Sequence, residues 1–304
     1  MVMITTLALG LIILSGAAVR LTGSGLGCPD WPSCYQHQLT PANTIHPIIE
    51  FSNRMITIGI CVVIGITVVM AHFRSPKRRD LILLSWLLVV GVVGDAVLGG
   101  IVVYTKLNPY LVMVHLWLSL GMVANGMVLF HRSRYDYSLG ARADVASPLT
   151  RKVSWLLVGV FCFVIAAGTA TTGTGPHAGG SQGQLVAKRI PVALKDMAWF
   201  HSTTAVVFIT IALVTFVALE STNGPARLRG ASRRLFVVGT AQGLIGLIQF
   251  VTHLPGWLVE IHVLGAISLT MGVVAFQLAQ IARDKEPWVT TKKSADSTLT
   301  SVVA

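Results

Sequence analysis

Two histidines lie near the starts of separate long apolar segments, where an ionisable side chain is costly and therefore points to a function. They are His201 and His262, and both segments are expected to enter the membrane from the same side. The two imidazoles would then lie at one depth, and facing histidines in a helical bundle commonly bind haem iron. The alternative is a hydrogen bond between helices. Zinc is disfavoured because it needs three or four clustered ligands.

A third histidine, His115, shows that the sequence contains an internal repeat. Gly99 precedes His115 by the same number of residues as Gly246 precedes His262. The two halves of the chain therefore read as copies of one four-helix unit. Because an even number of helices returns the chain to the same side, the copies share one orientation, related by an axis along the membrane normal.

The copies differ at the position that His201 occupies. Its counterpart is Asn53, whose amide is a poor axial ligand for haem iron, and Glu50 stands one helical turn earlier where the other half has Ala198. The N-terminal half would then hold a haem through one protein ligand, or loosely, and admit a substrate. Glu50 is a candidate proton acceptor or a group that stabilises a developing cation. Alternatively, it only favours the start of its helix through the helix dipole.

Two arginines are predicted near the outer surface. Arg20 and Arg54 either pair with haem propionates, since a guanidinium matches a carboxylate bidentately, or extend to the membrane interface. Asp95 aligns with Gln242 in the repeat and is predicted to make a polar contact between helices, with no assigned role.

Two of the four cysteines lie in a proline-rich segment after the first apolar run. The prolines between Cys28 and Cys34 favour a turn that brings the sulfurs together, and an oxidising outer compartment permits a disulfide. The pair is either a structural staple or a redox-active couple, and the sequence leaves both open. Cys61 and Cys162 lie within apolar runs and are predicted to be small core residues.

Transmembrane helices must position these residues. The chain has 304 residues, of which 53% are hydrophobic and 12% charged, and no soluble domain hides that much apolar surface. Since a span needs about 20 apolar residues, we predict an all-α integral membrane protein with eight transmembrane helices in two tandem pseudo-symmetric four-helix bundles. The predicted spans are 3–21, 48–71, 81–104, 110–131, 152–172, 196–219, 232–250 and 257–281. Residues 1–140 form the half with the substrate site, and residues 141–304 form the half with the haem cofactor and a cytoplasmic tail.

The net charge of +11 suggests nucleic acid, but the placement of the basic residues argues against such a partner. They cluster in alternate loops and in the C-terminal tail, as the positive-inside rule describes. Both termini are therefore predicted in the cytoplasm. No cleavage or transit signal is evident, so a bacterial plasma membrane is the expected location.

The sequence resembles the haem A synthase family over nearly its whole length. The specific segment is 16–34, in which Thr-Gly-Ser-Gly is followed by Cys28, a Trp-Pro pair and Cys34. Segment 49–54, with Glu50 and Asn53, also matches, and the three histidines are in register. The resemblance implies an enzyme that oxidises a methyl group of haem O to the formyl group of haem A for terminal oxidases.

The resemblance also implies roles for individual residues. His201 and His262 would ligate a haem B cofactor, and His115 would ligate the substrate haem O. Glu50 would be required for activity, and Cys28 and Cys34 would form a disulfide. A haem O synthase is the expected partner. The electron donor is not specified, and a homo-oligomer is compatible with the sequence.

This chain departs from the family in two places. Asn53 stands where many members have histidine, and the third outer loop lacks the second cysteine pair of some bacterial members. Electron transfer through two cysteine pairs is therefore excluded. The alternative functions are a membrane diheme b-type electron carrier without substrate oxidation, and a transporter built on a repeat. Two bis-histidine sites would suit the carrier, which Asn53 disfavours, and transporters place polar residues nearer the midplane.

Overall fold

The protein is a bundle of long helices in the computed structural model, which describes residues 1–35, 40–134, 142–144, 146–182 and 185–283. The helices are α1 (Val2–Leu21), α2 (Ile45–Phe73), α3 (Arg79–Tyr104), α4 (Pro109–Ser133), α5 (Pro148–Thr174), α6 (Leu194–Ser221), α7 (Ala226–Val251) and α8 (Gly256–Ala279). All eight are long and apolar enough to cross a bilayer. A helix satisfies its backbone polar groups internally, as the lipid interior requires. The prediction of an all-α, multi-pass membrane protein with eight spans is confirmed.

The helix ends differ most from the predicted spans at the start of α7 and at the start of α5, which begins at Pro148 and not at residue 152. Helix α7 begins at Ala226, directly after Pro225, whereas the apolar run had suggested residue 232. The arginines of this first turn are helical because a polar segment at the membrane surface can continue a helix. Helix α8 ends at Ala279, two residues before the predicted end.

Short strands occur on both sides of the bundle. Strand β1 (Arg142–Asp144) pairs antiparallel with β4 (Ile281–Arg283), and β2 (Ser181–Gln182) pairs antiparallel with β3 (Leu185–Val186). The first pair joins the loop between α4 and α5 to the segment that follows α8. The basic C-terminal tail, with Lys285, Lys292 and Lys293, lies outside the described residues, as does His37 in the loop between α1 and α2.

The helices contact one another in two groups of four. Helix α1 contacts α2 and α4, and α3 contacts the same two; α5 and α7 likewise each contact α6 and α8. Contacts of α1 with α8, and of α4 with both α5 and α8, join the groups. This grouping agrees with the proposed halves, 1–140 and 141–304, whose standing as pseudo-symmetric domains stays a prediction.

The turns after α3 and α7 have the same backbone conformation. Lys106 and Leu107 have φ values of 53° and 60°, and His253 and Leu254 have 63° and 61°. Residues other than glycine rarely adopt this left-handed region. Two such pairs at equivalent places in the repeat indicate that the two α-hairpins share one turn geometry.

Each group of helices has its own apolar core. One is centred on Leu88 and Val123, and the other on Leu157 and Phe208. Cys61 and Cys162 belong to neither core: both are exposed on the outer faces of their helices, so their prediction as core residues was wrong. In a membrane protein apolar side chains also face lipid, and apolar sequence alone does not separate the two environments.

Arg20 joins the two groups at the outer ends of the helices. Its Nε donates a hydrogen bond to the carbonyl of His177 (2.7 Å), and its Nη2 donates to the carbonyl of Thr172 (2.9 Å). Close by, the backbone N–H of Gly25 donates to the carbonyl of Gly179 (2.9 Å). The end of α1 is thereby tied to the end of α5 and the loop that follows it.

Replacing Arg20 should destabilise this junction. We expect Arg20→Ala to lower the unfolding free energy by about 1–3 kcal/mol, because two carbonyls lose their donors. The melting temperature of the purified protein in detergent measures this. Lys152→Ala, at an exposed position at the opposite ends of the helices, is the control. Equal melting temperatures for the two variants would show that Arg20 does not hold the groups together.

Candidate functional site

The outer loop between α1 and α2 is closed by a disulfide between Cys28 and Cys34, both fully buried. Trp31, at the tip of the loop, lies against Gly100 of α3, where a Cβ atom would come within 2.8 Å of the indole. The hydroxyl of Tyr104 donates to the carbonyl of Trp31 (2.8 Å). The loop therefore rests on the outer end of α3.

Glu50 connects this loop to α2. Its side chain is buried, and Oε2 accepts a hydrogen bond from the backbone N–H of Cys28 (2.8 Å). Oε1 lies 2.6 Å from Nη2 of Arg54, one helical turn further along. The carboxylate thus contacts a disulfide cysteine directly, a relation that the sequence did not reveal.

Arg54 completes the attachment of the loop. Its Nη1 lies within hydrogen-bonding distance of three loop carbonyls, those of Asp30 (2.8 Å), Pro32 (3.1 Å) and Ser33 (2.8 Å). Together, Glu50 and Arg54 hold both the start and the end of the disulfide loop. We call this pair the loop clamp. The suggested contacts of Arg54 and Arg20 with haem propionates stay predictions, and in the structure both guanidinium groups donate to backbone carbonyls.

His115 projects from α4 towards the side chain of Asp95 in α3. Its Nδ1 lies 2.9 Å from Oδ1 of Asp95, although the ring N–H is not aligned with that oxygen as a hydrogen bond requires. The other carboxylate oxygen accepts from the hydroxyl of Ser119 (2.7 Å). A carboxylate at Nδ1 of a metal-binding histidine fixes the ring and leaves Nε2 for the metal.

Asn53 is held by α1. Its Oδ1 lies 2.6 Å from the hydroxyl of Ser15, which is also 3.2 Å from the carbonyl of Ile12. The shorter contact is the better hydrogen bond for the single hydroxyl proton. Among the described residues nothing accepts a hydrogen bond from Nδ2 of Asn53, so the amide N–H groups are available to a ligand.

In the second group of helices, His201 of α6 and His262 of α8 face each other across the bundle. Their ring centroids are 6.2 Å apart and the rings are nearly perpendicular. Two imidazoles that share one metal ion at metal–nitrogen distances of about 2 Å have centroids about 6 Å apart. The separation therefore fits bis-histidine ligation of a haem iron. No group of three or more His, Cys, Asp or Glu side chains that could hold another metal occurs among the residues that the structure describes.

A glycine on a neighbouring helix lies opposite each of these histidines. A Cβ atom on Gly168 would lie 2.8 Å from Cε1 of His201, and one on Gly246 would lie 3.1 Å from Cε1 of His262. Gly99 has the same relation to His115, at 3.5 Å. The fourth glycine of the pattern, Gly16, has nothing within 4 Å of its Cβ position. At Gly16, therefore, no side chain takes the place that an imidazole takes beside the other three glycines.

The family model for cytochrome oxidase assembly proteins of the COX15-CtaA type matches residues 1–46 and 42–274. The chain belongs to this family. Among its relatives named Heme A synthase, that of Bacillus pumilus is 25% identical over 309 residues, 94% of this chain and 96% of the relative. That of Staphylococcus haemolyticus is 24% identical over 292 residues, or 92% and 93%. The match to Geobacillus thermodenitrificans is 31% identical over 106 residues, and it covers 34% of this chain and only 33% of that relative.

The structure of this COX15-CtaA member brings together some of the residues that its sequence had singled out. The structure brings His201 and His262 into contact distance, and it places Glu50 beside Cys28. The polar contact between helices that was predicted for Asp95 is confirmed by its hydrogen bond from Ser119, but its neighbour His115 and the contact of Ser15 with Asn53 were not predicted. Asp95 had a signal, since it occupies the repeat position of Gln242, whose Nε2 donates to the backbone carbonyl of His262 (2.7 Å). Ser15 had none, because an isolated serine in an apolar helix is commonplace.

Gly27 provides a test of how closely the disulfide loop must approach α2. A Cβ atom there would lie 2.6 Å from the carbonyl carbon of His46 and 2.7 Å from the nitrogen of Pro47. Backbone atoms cannot move aside as a side chain can. We expect Gly27→Ala to lower the unfolding free energy by about 1–3 kcal/mol. Cys28 and Cys34 should then become accessible to a short treatment with a reductant followed by alkylation. Gly59→Ala, with nothing within 4 Å in α2, should leave both stability and alkylation unchanged. Protection of the cysteines in Gly27→Ala would contradict the tight approach.

Proposed function

We propose that the protein is a haem A synthase, which oxidises the methyl group of haem O to the formyl group of haem A for the assembly of terminal oxidases. The methyl group loses two hydrogen atoms and gains one oxygen atom. Family membership and relatives of this name that align along almost the whole chain support the proposal. The structural observation that carries it is asymmetry: the repeat positions of His201 and Ala198 hold Asn53 and Glu50 in the other half.

The C-terminal half is the proposed site of the resident cofactor, haem B. His201 and His262 would hold the iron from two sides, and the 6.2 Å between their ring centroids fits this role. Gly168 and Gly246 leave room for the imidazoles between the helices. Bound haem B would supply one-electron redox chemistry, since a haem iron with two histidine ligands has no open position.

The N-terminal half is the proposed substrate site. His115 would bind the iron of haem O, with Asp95 fixing the imidazole. Glu50 would accept a proton from the reacting methyl group or stabilise positive charge that develops on it. The loop clamp holds this carboxylate next to the disulfide, which lies on the outer side in the proposed orientation. Substrate chemistry would therefore take place near the outer surface.

We further propose that the protein lies in a bacterial plasma membrane with both termini in the cytoplasm. The basic clusters at the ends of α2, α4 and α6 and the starts of the following helices support this orientation. The disulfide then faces the oxidising side, where it would persist. Haem O is membrane-bound, so a haem O synthase is the proposed partner that supplies it, and a homo-oligomer in the membrane is proposed as the assembly.

Haem analysis tests the proposed function. After co-expression with a source of haem O, the purified protein should contain haem B and form haem A. Glu50→Gln should lower haem A formation by at least about 100-fold, the scale of a lost proton-transfer group, because its amide still accepts from Cys28 but cannot take a proton. Glu220→Gln, a carboxylate paired with Arg229 at the inner end of α6, is the matched control. Two haems with no haem A in either protein would favour the electron carrier instead.

The glycines opposite the histidines give a test of the cofactor site. Gly168→Ala should displace the ring of His201, because its Cβ would lie 2.8 Å from Cε1. We expect the haem B content and the low-spin absorption bands to fall several-fold, measured as haem per protein after purification. The repeat-equivalent Gly16→Ala meets nothing within 4 Å and should keep full haem B. Unchanged spectra in Gly168→Ala would place haem B elsewhere.

A further inference from the structure

We propose that His115 is the single protein ligand of the haem in the N-terminal half, and that Asn53 donates a hydrogen bond to a small exogenous ligand, dioxygen or water, on the opposite face of the iron. The inference rests on the proposed function, because it specifies how the substrate haem O is held. It assigns Asn53 and Ser15 a positioning role that the proposed function alone does not require.

The first argument is the geometry of the repeat. His201 in α6 faces His262 in α8 diagonally across its group of helices, and α2 and α4 take the same diagonal places in the other group. Asn53 therefore occupies the repeat position of His201, on the helix diagonally opposite the one that carries His115. The side chains that commonly ligate haem iron are those of His, Cys, Met and Tyr, and an amide is not among them.

The second argument is the way in which Asn53 is fixed. The hydroxyl of Ser15 engages Oδ1 at 2.6 Å, so the carbonyl end of the amide is turned towards α1. The free end of the amide is Nδ2, which can only donate. Ala167 is the repeat counterpart of Ser15, just as His201 is the counterpart of Asn53. The serine thus accompanies the asparagine and is replaced by an apolar residue where the histidine is present.

The third argument is open space. The ring of His201 occupies the space beside Gly168, whereas nothing lies within 4 Å of the Cβ position of Gly16. An asparagine is shorter than a histidine, so replacing one by the other leaves room on that side for a ligand of a few atoms. The Nδ2 donor of Asn53 would then be available to an oxygen atom with lone pairs.

The fourth argument comes from the other side of the iron. Asp95 lies 2.9 Å from Nδ1 of His115 and is itself held by Ser119. A carboxylate that accepts a hydrogen bond from Nδ1 makes an imidazole a stronger ligand, and Asp95 is close enough to do so once the ring N–H of His115 is aligned with Oδ1. Gln242, the repeat counterpart of Asp95, contacts the backbone of His262 and not its ring. One half therefore has a strengthened single ligand with an open opposite face, and the other has two ligands and no open position.

Carbon monoxide binding to the reduced protein tests the proposal. The Glu50→Gln protein is loaded with haem O, so that the substrate stays in place, and contains haem B in the other half. We expect carbon monoxide to bind to haem O and not to haem B, and the oxidised haem O to give a high-spin electron paramagnetic resonance signal. Asn53→His should abolish carbon monoxide binding and convert that signal to low-spin, because it rebuilds the pair found in the C-terminal half.

The hydrogen bond has a separate readout. Asn53→Ala and Ser15→Ala should keep carbon monoxide binding but shift its stretching frequency to higher wavenumber, since the donor is lost or misplaced. Haem O that is bound in a low-spin state and does not take up carbon monoxide would overturn the inference and leave the proposed function standing. An unshifted stretch in both variants would overturn the role of Asn53. A protein that never retains haem O would overturn the proposed function as well. If Asn53→His does not fold, the spin state of haem O in the protein that retains Asn53 still shows whether His115 is the single protein ligand.

Discussion

The site depends on one packing constraint. An interior histidine needs enough space between its ring and the neighbouring helix. An imidazole that projects into a bundle needs space on the neighbouring helix, and glycine provides it at Gly168 and Gly246, where a Cβ atom would come within 2.8 and 3.1 Å of the ring. At Gly99 a Cβ atom would lie 3.5 Å from His115, in ordinary van der Waals contact. Closely packed membrane helices commonly use small residues in this way. At Gly16, whose repeat counterpart Gly168 lies against His201, nothing lies within 4 Å of the Cβ position. The two halves therefore differ in whether an imidazole lies beside this glycine.

Contacts of the disulfide loop between α1 and α2 also hold the helices in place. The loop clamp of Glu50 and Arg54 joins the disulfide segment to α2, and Asn53 lies between the two clamp residues in the same helix. Arg20 performs a similar task between the groups of helices, through backbone carbonyls of the C-terminal half. Buried arginines that donate to several carbonyls compensate for the loss of hydration. The polar side chains at the outer ends thus fix the positions of the helices that carry the histidines.

The sequence predicted the helices well because the length and composition of a membrane span are narrowly limited by the bilayer. It predicted the pairing of His201 with His262 because repeat spacing and orientation define depth. It did not predict direction around a helix axis, which is why the contact of Asp95 with His115 and that of Glu50 with Cys28 were missed. Hydropathy also does not distinguish lipid-facing from buried apolar residues, as Cys61 shows. It placed the start of α7 too late, because the first turn of that helix is polar.

A cryo-electron microscopy map of the protein purified with both haems tests most directly the claim that two similar four-helix groups hold haem unequally. The account predicts a porphyrin between α6 and α8 with His201 and His262 on its iron. It predicts a second porphyrin against His115 in the other group, with Asn53 separated from the iron by a small ligand. Two porphyrins with equivalent pairs of protein ligands, or no porphyrin between His201 and His262, would contradict it.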